Sequence, residues 1–148
     1  PQRFEVEYVA EDNSRKQPVM IHRAILGSFE RFIAILTEHF AGEFPLFIAP
    51  TQVIFVPIAE SHAAYARELQ KACMSIDIDS EIYDKNDSLN KRIRNAEKQR
   101  VPYVVIVGDE EVASKSVAIR DRRAKEQYNL TQEEFMLQLS KQLQEGKI

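Results

Sequence analysis

The chain has one cysteine, four glycines and no tryptophan among its 148 residues. A single cysteine, Cys73, excludes an internal disulfide, so a disulfide-stapled secreted scaffold is not expected. No apolar run approaches the roughly 20 residues that span a bilayer, and the first residues, PQRFEVEYVAEDN, lack the organisation of a signal peptide. We therefore expect a cytoplasmic protein with no membrane partner.

Charge is unevenly distributed along the chain, whose net charge is −3. Residues 85–123 hold ten Lys or Arg against six Asp or Glu, so this region is net basic and the remainder is net acidic. A basic region on an acidic chain suits a protein that contacts one part of a polyanion. The same charges would also suit a solvated helix face, so charge alone leaves both interpretations open.

Two strands and a helix are predicted for the first 45 residues. Apolar side chains alternate over 4–9 and again over 21–26, which is the period of a strand, and EDNSRKQ between them predicts a turn. Ser28 is positioned to cap a helix that Ala41 and Gly42 end. Its apolar residues at helical spacing are Phe29, Phe32, Ile33, Leu36 and Phe40. One helix over 21–40 is the alternative, but Gly27 inside it would cost about 1 kcal/mol.

Strands and helices alternate after residue 45, which predicts a second domain of the α/β class. The predicted strands are 52–58, 76–82, 101–107 and 117–120, the last antiparallel to its neighbour. The predicted helices run from Ser61 to Met74, from residue 87 or 88 toward Arg100, and from Thr131, where Glu134 completes a capping box. Residues 108–111 are predicted to form a turn and those around 122–129 an exposed loop.

The segment PVMIHRAILGSFERF at residues 18–32 carries a resemblance to a known family. It resembles motif 3 of the class II aminoacyl-tRNA synthetases, in the form that is characteristic of threonyl-tRNA synthetases. FAGEFPLFIAPTQV, VPYVVIVGDEEV and VAIRDRR are similar to the anticodon-binding domain of the same family, so the resemblance covers nearly the whole chain. It implies that residues 1–45 are the C-terminal part of a class II catalytic domain and residues 46–148 an anticodon-binding domain.

The fold implied by the resemblance is α/β. It is a three-layer domain with a mixed, mostly parallel five-stranded sheet flanked by helices, preceded by an antiparallel strand pair and a helix. The implied function is recognition of the threonine tRNA anticodon by an enzyme that joins threonine to that tRNA, using ATP through a threonyl-adenylate. The intact enzyme is expected to be a homodimer with ATP and zinc. The chain alone is expected to hold neither cofactor and to be inactive, as a monomer or self-associated through the helix at 29–40.

Two candidate residues belong to the catalytic part. His22 resembles the histidine that supplies one ligand to the family's zinc, which binds the amino and hydroxyl groups of threonine. Such a site needs three protein ligands and an open position, and the resemblance places the other two ligands before Pro1. Arg31 matches the motif 3 arginine that contacts ATP, where a guanidinium stacks on the adenine ring. His39, His62 and Cys73 lack ligand spacing and are expected to be packed or exposed.

Three candidate residues match positions that the family uses on the second and third anticodon bases: Asn86, Glu111 and Arg120. An amide, a carboxylate and a guanidinium can each pair with the edges of unpaired bases. The expected contacts to the RNA backbone are Arg92, Arg94 and Arg122. A turn at GDEE and a helix start near residue 87 would account for the same sequence without RNA.

The chain departs from the family pattern at three positions. Ser88 replaces a customary lysine contact, Asn90 stands where a glycine is usual, and Ala124 lacks the glycine of a basic turn, so contacts to the anticodon loop are expected to differ in detail. Three alternatives remain. They are a sister class II synthetase for proline, glycine or histidine, a stand-alone RNA-binding accessory module, and a flavodoxin-like nucleotide binder. The last would need a phosphate loop, which residues 59–62 supply poorly.

Overall fold

The computed structural model describes residues 1–84 and 87–146. They form two compact units, Pro1–Ile35 and a larger unit that begins at Leu36. Within the described ranges no helix is long and apolar enough to cross a membrane. The domain boundary predicted at residues 45 and 46 falls later than this change of unit and stays a prediction.

A short hairpin forms part of the first unit. Strand β1 (Tyr8–Val9) pairs antiparallel with β2 (Arg15–Lys16), and the turn between them contains a hydrogen bond from the Ser14 hydroxyl to Asp12 Oδ1 at 2.6 Å. The predicted turn is confirmed only over residues 11–14, because β2 lies inside the segment EDNSRKQ, and the predicted first strand over 4–9 is reduced to β1 after a 3-10 turn at Gln2–Phe4. The predicted second strand at 21–26 is wrong. Those residues are irregular and exposed. A strand needs a neighbour for its backbone N–H and C=O groups, and no described segment pairs with 21–26.

Helix α1 (Phe29–His39) begins and ends as predicted. Ser28 Oγ accepts a hydrogen bond from the Arg31 N–H at 3.3 Å, which satisfies one of the free donors of the first turn. Ala41 and Gly42 both have positive φ angles, and the Gly42 N–H donates to the Thr37 carbonyl at 2.9 Å. No residue of α1 is buried.

The second unit is built on a five-stranded sheet. Its strands are β3 (Val53–Pro57), β4 (Ser80–Ile82), β5 (Tyr103–Val107), β6 (Ser116–Asp121) and β7 (Glu126–Thr131). Their order across the sheet is β4-β3-β5-β6-β7. The β3 strand is parallel to β4 and β5, whereas β6 is antiparallel to both β5 and β7. The sheet is mixed as predicted, but parallel and antiparallel pairs are equal in number.

Helices cover the two faces of this sheet unequally. Helices α2 (Ala63–Met74) and α5 (Gln132–Glu145) pack on one face, where Phe55, Leu69, Val105 and Phe135 share one core. Helix α3 (Leu89–Lys98) packs on the other face, where the core contains Ile54, Val56, Ile93 and Val104. The structure is therefore a three-layer α/β domain, in which α3 covers the parallel part of its face.

Four sequence predictions for this unit need correction. Helix α2 begins at Ala63, after a 3-10 turn at Glu60–His62, so Ser61 is not its cap. Only Ser80–Ile82 of the predicted strand at 76–82 pairs with β3, although the two earlier isoleucines still contact the core. Residues 109–114 form a short helix, α4 (Asp109–Ser114), instead of a turn. Strand β7 replaces the C-terminal part of the predicted loop; Tyr128 and Leu130 are its only apolar residues, which are too few to indicate a strand by alternation.

The capping box of α5 is confirmed and should make stability depend on pH. Glu134 Oε2 accepts a hydrogen bond from the Thr131 N–H at 2.9 Å, and the bonds from Thr131 lower the pKa of this carboxyl. A lowered pKa means that the contribution is full above the ordinary carboxyl pKa and is lost as the pH falls through the folded-state pKa. We expect the stability advantage of the wild type over Glu134→Gln to shrink in acid, as measured by urea unfolding at several pH values. A difference independent of pH would contradict the assignment.

Candidate nucleic-acid interface

Two of the predicted RNA-binding arginines lie side by side beyond the C-terminal half of α3. Arg120 Nη1 on β6 donates to Glu97 Oε1 at 3.2 Å. Arg122 Nη1 donates to the Glu97 backbone carbonyl at 3.1 Å, and its Nη2 donates to Glu43 Oε1 at 3.1 Å. Both guanidinium groups are half-buried. The carboxylates fix the positions of both guanidinium groups and partly offset their charge.

Glu111 lies in the first turn of α4, at the opposite end of the sheet from Arg120. Its Oε2 accepts a hydrogen bond from the Gly108 N–H at 2.8 Å, which caps the first turn of α4 from the glutamate side alone, because glycine has no side chain to return the bond. A Cβ on Gly108 would approach that oxygen to 3.1 Å and Ile58 Cδ1 to 2.8 Å. Since Gly108 directly follows β5 and alternates with Val107, which belongs to the α2–α5 core, the carboxylate lies on the other face of the sheet.

Glu111 and Arg120 therefore lie at two ends of one uncovered part of the sheet. Between them is a surface that we call the open face, formed by Ile106, Ala118, Arg120, Gln127 and Asn129. Strand pairing sets Ala118 opposite both Ile106 and Asn129, and Arg120 opposite Gln127. These residues line a cavity of about 350 Å³ and are exposed or half-buried. About 13 Å of strand separates Arg120 from the α4 end of β6.

Arg92 and Arg94, two residues apart and on different sides of α3, have different environments. Arg92 is buried, and its guanidinium donates to the backbone carbonyls of Pro57, Ile58 and Tyr83 at 2.6, 3.2 and 3.0 Å. It therefore ties together the chain segments that leave β3 and β4. Arg94 is exposed. The predicted backbone contact is geometrically open for Arg94, whereas Arg92 has a structural position.

Asn86, the third predicted base-reading residue, lies outside the described residues. Its neighbours in the chain show only where the segment starts and ends: Tyr83 accepts a hydrogen bond from Arg92, and Ser88 precedes the first turn of α3. Ser88 makes no side-chain capping bond. The prediction for Asn86 stays a prediction.

The two catalytic candidates lie in the first unit and are exposed. His22 is in the irregular segment and Arg31 is in the first turn of α1. Over residues 1–84 and 87–146 no group of three or more His, Cys, Asp or Glu side chains is placed to hold a metal ion. The described donor set therefore does not fit the three-ligand zinc site that the resemblance implies, and we derive no chemical step through zinc.

His62 is a structural residue that the sequence did not assign to this end of the sheet. It is buried; its Nδ1 accepts a hydrogen bond from the Ala59 N–H at 3.1 Å, so that its Nε2 is the donor to Asp109 Oδ1 at 3.0 Å. This bond joins the segments that follow β3 and β5 and stands next to the cap made by Glu111.

Burial raises the pKa of the Cys73 thiol to about 12, which keeps the thiol protonated and unreactive.

The fold and this interface define the class of the protein: the chain belongs to the anticodon-binding domain family. The model of that family, described as "Anticodon binding domain", matches residues 52–142, and the class II core model for glycine, histidine, proline, serine and threonine tRNA synthetases matches residues 1–40. The predicted boundary at residues 45 and 46 lies between these two matches.

The relatives narrow the family to the threonine type. The chain is 78% identical over all 148 residues to the Threonine–tRNA ligase of a Sulfurovum species, and 65% identical to that of Nautilia profundicola; in each case it spans 24% of the relative's length. A solved RNA-binding domain of threonyl-tRNA synthetase from Cryptosporidium parvum shares 31% identity and superposes with a TM-score of 0.74 over 96% of this chain and 36% of that one. The resemblance to threonyl-tRNA synthetases is confirmed, and the chain contains an anticodon-binding domain of that type.

Proposed function

We propose that this chain binds the anticodon loop of a threonine tRNA through the surface that holds Glu111 and Arg120. The observation that carries this proposal is their common face: a carboxylate and a guanidinium face solvent at two ends of one uncovered part of the sheet. Unpaired bases in a loop expose edges that these groups can bind. Arg94 and Arg122 supply positive charge for the neighbouring phosphates.

The activity of the longer relatives is part of the proposal. A protein of their length that contains this chain would join threonine to its tRNA with ATP, as a homodimer in the cytoplasm. Arg31 would contact ATP, and His22 would supply one of three zinc ligands. The relatives' shared name favours threonine over proline, glycine or histidine.

Base recognition is tested by titrating the chain with the anticodon stem-loop of a threonine tRNA, beside a stem-loop with a changed second anticodon base. We expect the wild type to prefer the authentic loop by about tenfold, because one base contact contributes about 1–3 kcal/mol. Arg120→Ala and Glu111→Gln should lose that preference. The glutamine retains the α4 cap, so the effect of losing the carboxylate is separated from unfolding.

Two control variants make corresponding changes of charge away from the interface. Lys71→Ala removes an exposed cation from α2, and Glu133→Gln neutralises an exposed carboxylate of α5, both helices packing on the side of the sheet opposite the open face. Both should discriminate between the two loops as the wild type does. If the wild type bound both loops with equal affinity and that affinity depended only on salt, the proposal would be contradicted, since purely electrostatic binding does not distinguish one base from another.

A further inference from the structure

We infer that one unpaired nucleobase binds to the open face, with the side chains of Asn129 and Gln127 of β7 hydrogen-bonded to its edge. This inference rests on the proposed function and deepens it, because it assigns two amide side chains and a small residue that the family resemblance does not mark. Each step depends on the register of β5, β6 and β7.

The centre of the open face has the shape and polarity to accept a flat ring. Ala118 projects only a methyl group between its two cross-strand neighbours, Ile106 and Asn129. Ala118 and Ile106 are half-buried, so they present apolar surface that is still reachable. A base lying on these two side chains would gain van der Waals contact over its face, while its edges would remain free for polar bonds.

The edge of this apolar floor carries two amides with unused hydrogen-bonding capacity. Gln127 and Asn129 are exposed and project from alternate positions of β7 on the same face. Each amide offers two N–H donors and one carbonyl acceptor. Among the hydrogen bonds of the described residues, neither side-chain amide is engaged with another residue. On the core face of the same strand, by contrast, the Tyr128 hydroxyl accepts a bond from Gln138 at 2.8 Å.

Charge around the open face favours a nucleotide in one orientation. At the α4 end the Glu111 carboxylate would repel a phosphate and accept from a base N–H. At the other end Arg123 and Lys125 are exposed in the turn between β6 and β7, next to Arg122. Donors and acceptors of the open face thus match a base edge, and the exposed Arg123 and Lys125 are placed to meet phosphates, beside the acidic Asp121 and Glu126 of the same turn.

The test uses the full chain, the same threonine anticodon stem-loop, and four variants. Ala118→Leu fills the floor with a larger side chain, and Asn129→Ala removes one amide; each should weaken binding of the stem-loop about fivefold to tenfold without changing the slope of affinity against salt. Ala64→Leu on α2 and Gln144→Ala on α5 are the same changes at exposed positions elsewhere, and they should leave the affinity within about twofold. Urea unfolding of each variant verifies that it is folded.

Different outcomes separate this inference from the proposed function. If the wild type discriminates between the loops and Arg120→Ala abolishes this, while Ala118→Leu and Asn129→Ala bind as the wild type does, the inference is overturned and the proposed function stands. If the wild type does not discriminate, both fail. A duplex RNA of the stem alone that competes as strongly as the stem-loop would assign the face to backbone binding and also overturn the inference. A further variant, Asn129→Asp, keeps the size of the side chain but removes its N–H donors. It should weaken binding at least as much as Asn129→Ala does.

Discussion

Replacing Arg92 by methionine is expected to lower the free energy of unfolding by about 3 kcal/mol. The guanidinium is buried and bonds three backbone carbonyls, of Pro57, Ile58 and Tyr83. Methionine fills similar space, so the loss reports mainly on carbonyls left without a donor in a site that water reaches poorly. Urea unfolding followed by circular dichroism measures the difference.

Arg94→Met is the matched control, on the same helix and in an exposed position. It should change stability by less than about 0.5 kcal/mol and should reduce the slope of log affinity against log salt by about one, as loss of a phosphate contact does. Arg92→Met is thus predicted to lower stability, and Arg94→Met to lower the salt dependence of RNA binding. A stable Arg92→Met protein with a reduced salt slope would show that Arg92, and not only Arg94, binds RNA.

Replacing Phe135 by alanine is expected to cost about 3–5 kcal/mol of stability. Its ring is fully buried between α5 and the sheet and stands edge-on to Tyr103, with ring centroids 5.9 Å apart and planes at 87°. Truncation removes that aromatic contact and leaves a cavity that neighbouring strands cannot fill. A loss of this size is a large fraction of the roughly 5–15 kcal/mol that stabilises a domain.

Leu137→Ala provides the comparison for Phe135→Ala, because Leu137 lies on the same helix and is 72% exposed. It should cost less than about 0.5 kcal/mol. Denaturant unfolding of both variants and the wild type decides the point. If Phe135→Ala lost no more than Leu137→Ala, α5 could not be packed on the sheet as described.

Sequence patterns predicted those elements whose position is determined by residues within the element itself. The apolar run of β5 and the capping box of α5 were sufficient because burial on both faces and a closed cap leave a direct trace in sequence. Strand β7 was missed because it has only two apolar residues, Tyr128 and Leu130, which is too short a pattern to indicate a strand. The strand at 21–26 was wrongly predicted because alternation indicates a strand only where a neighbour is present to pair with it.

The candidate site was partly accessible to the sequence for a similar reason. Family resemblance marked Glu111 and Arg120, but neither spacing nor charge indicated that they share a face, since this depends on the register of three strands. Charge alone also treated Arg92 and Arg94 alike. Their difference follows from the rotation of α3, which turns one guanidinium toward backbone carbonyls and the other toward solvent.

The pairing of β6 with β7 constrains how this protein can change in length. A residue inserted in the turn at 122–125 can be absorbed as loop, with both strands left in register. A residue deleted inside β7 would shift every later side chain of that strand to the opposite face. Such a deletion would move Tyr128 or Leu130 out of the core and amide side chains into it. Strand β7 therefore tolerates the substitution of a single residue better than the insertion or deletion of one.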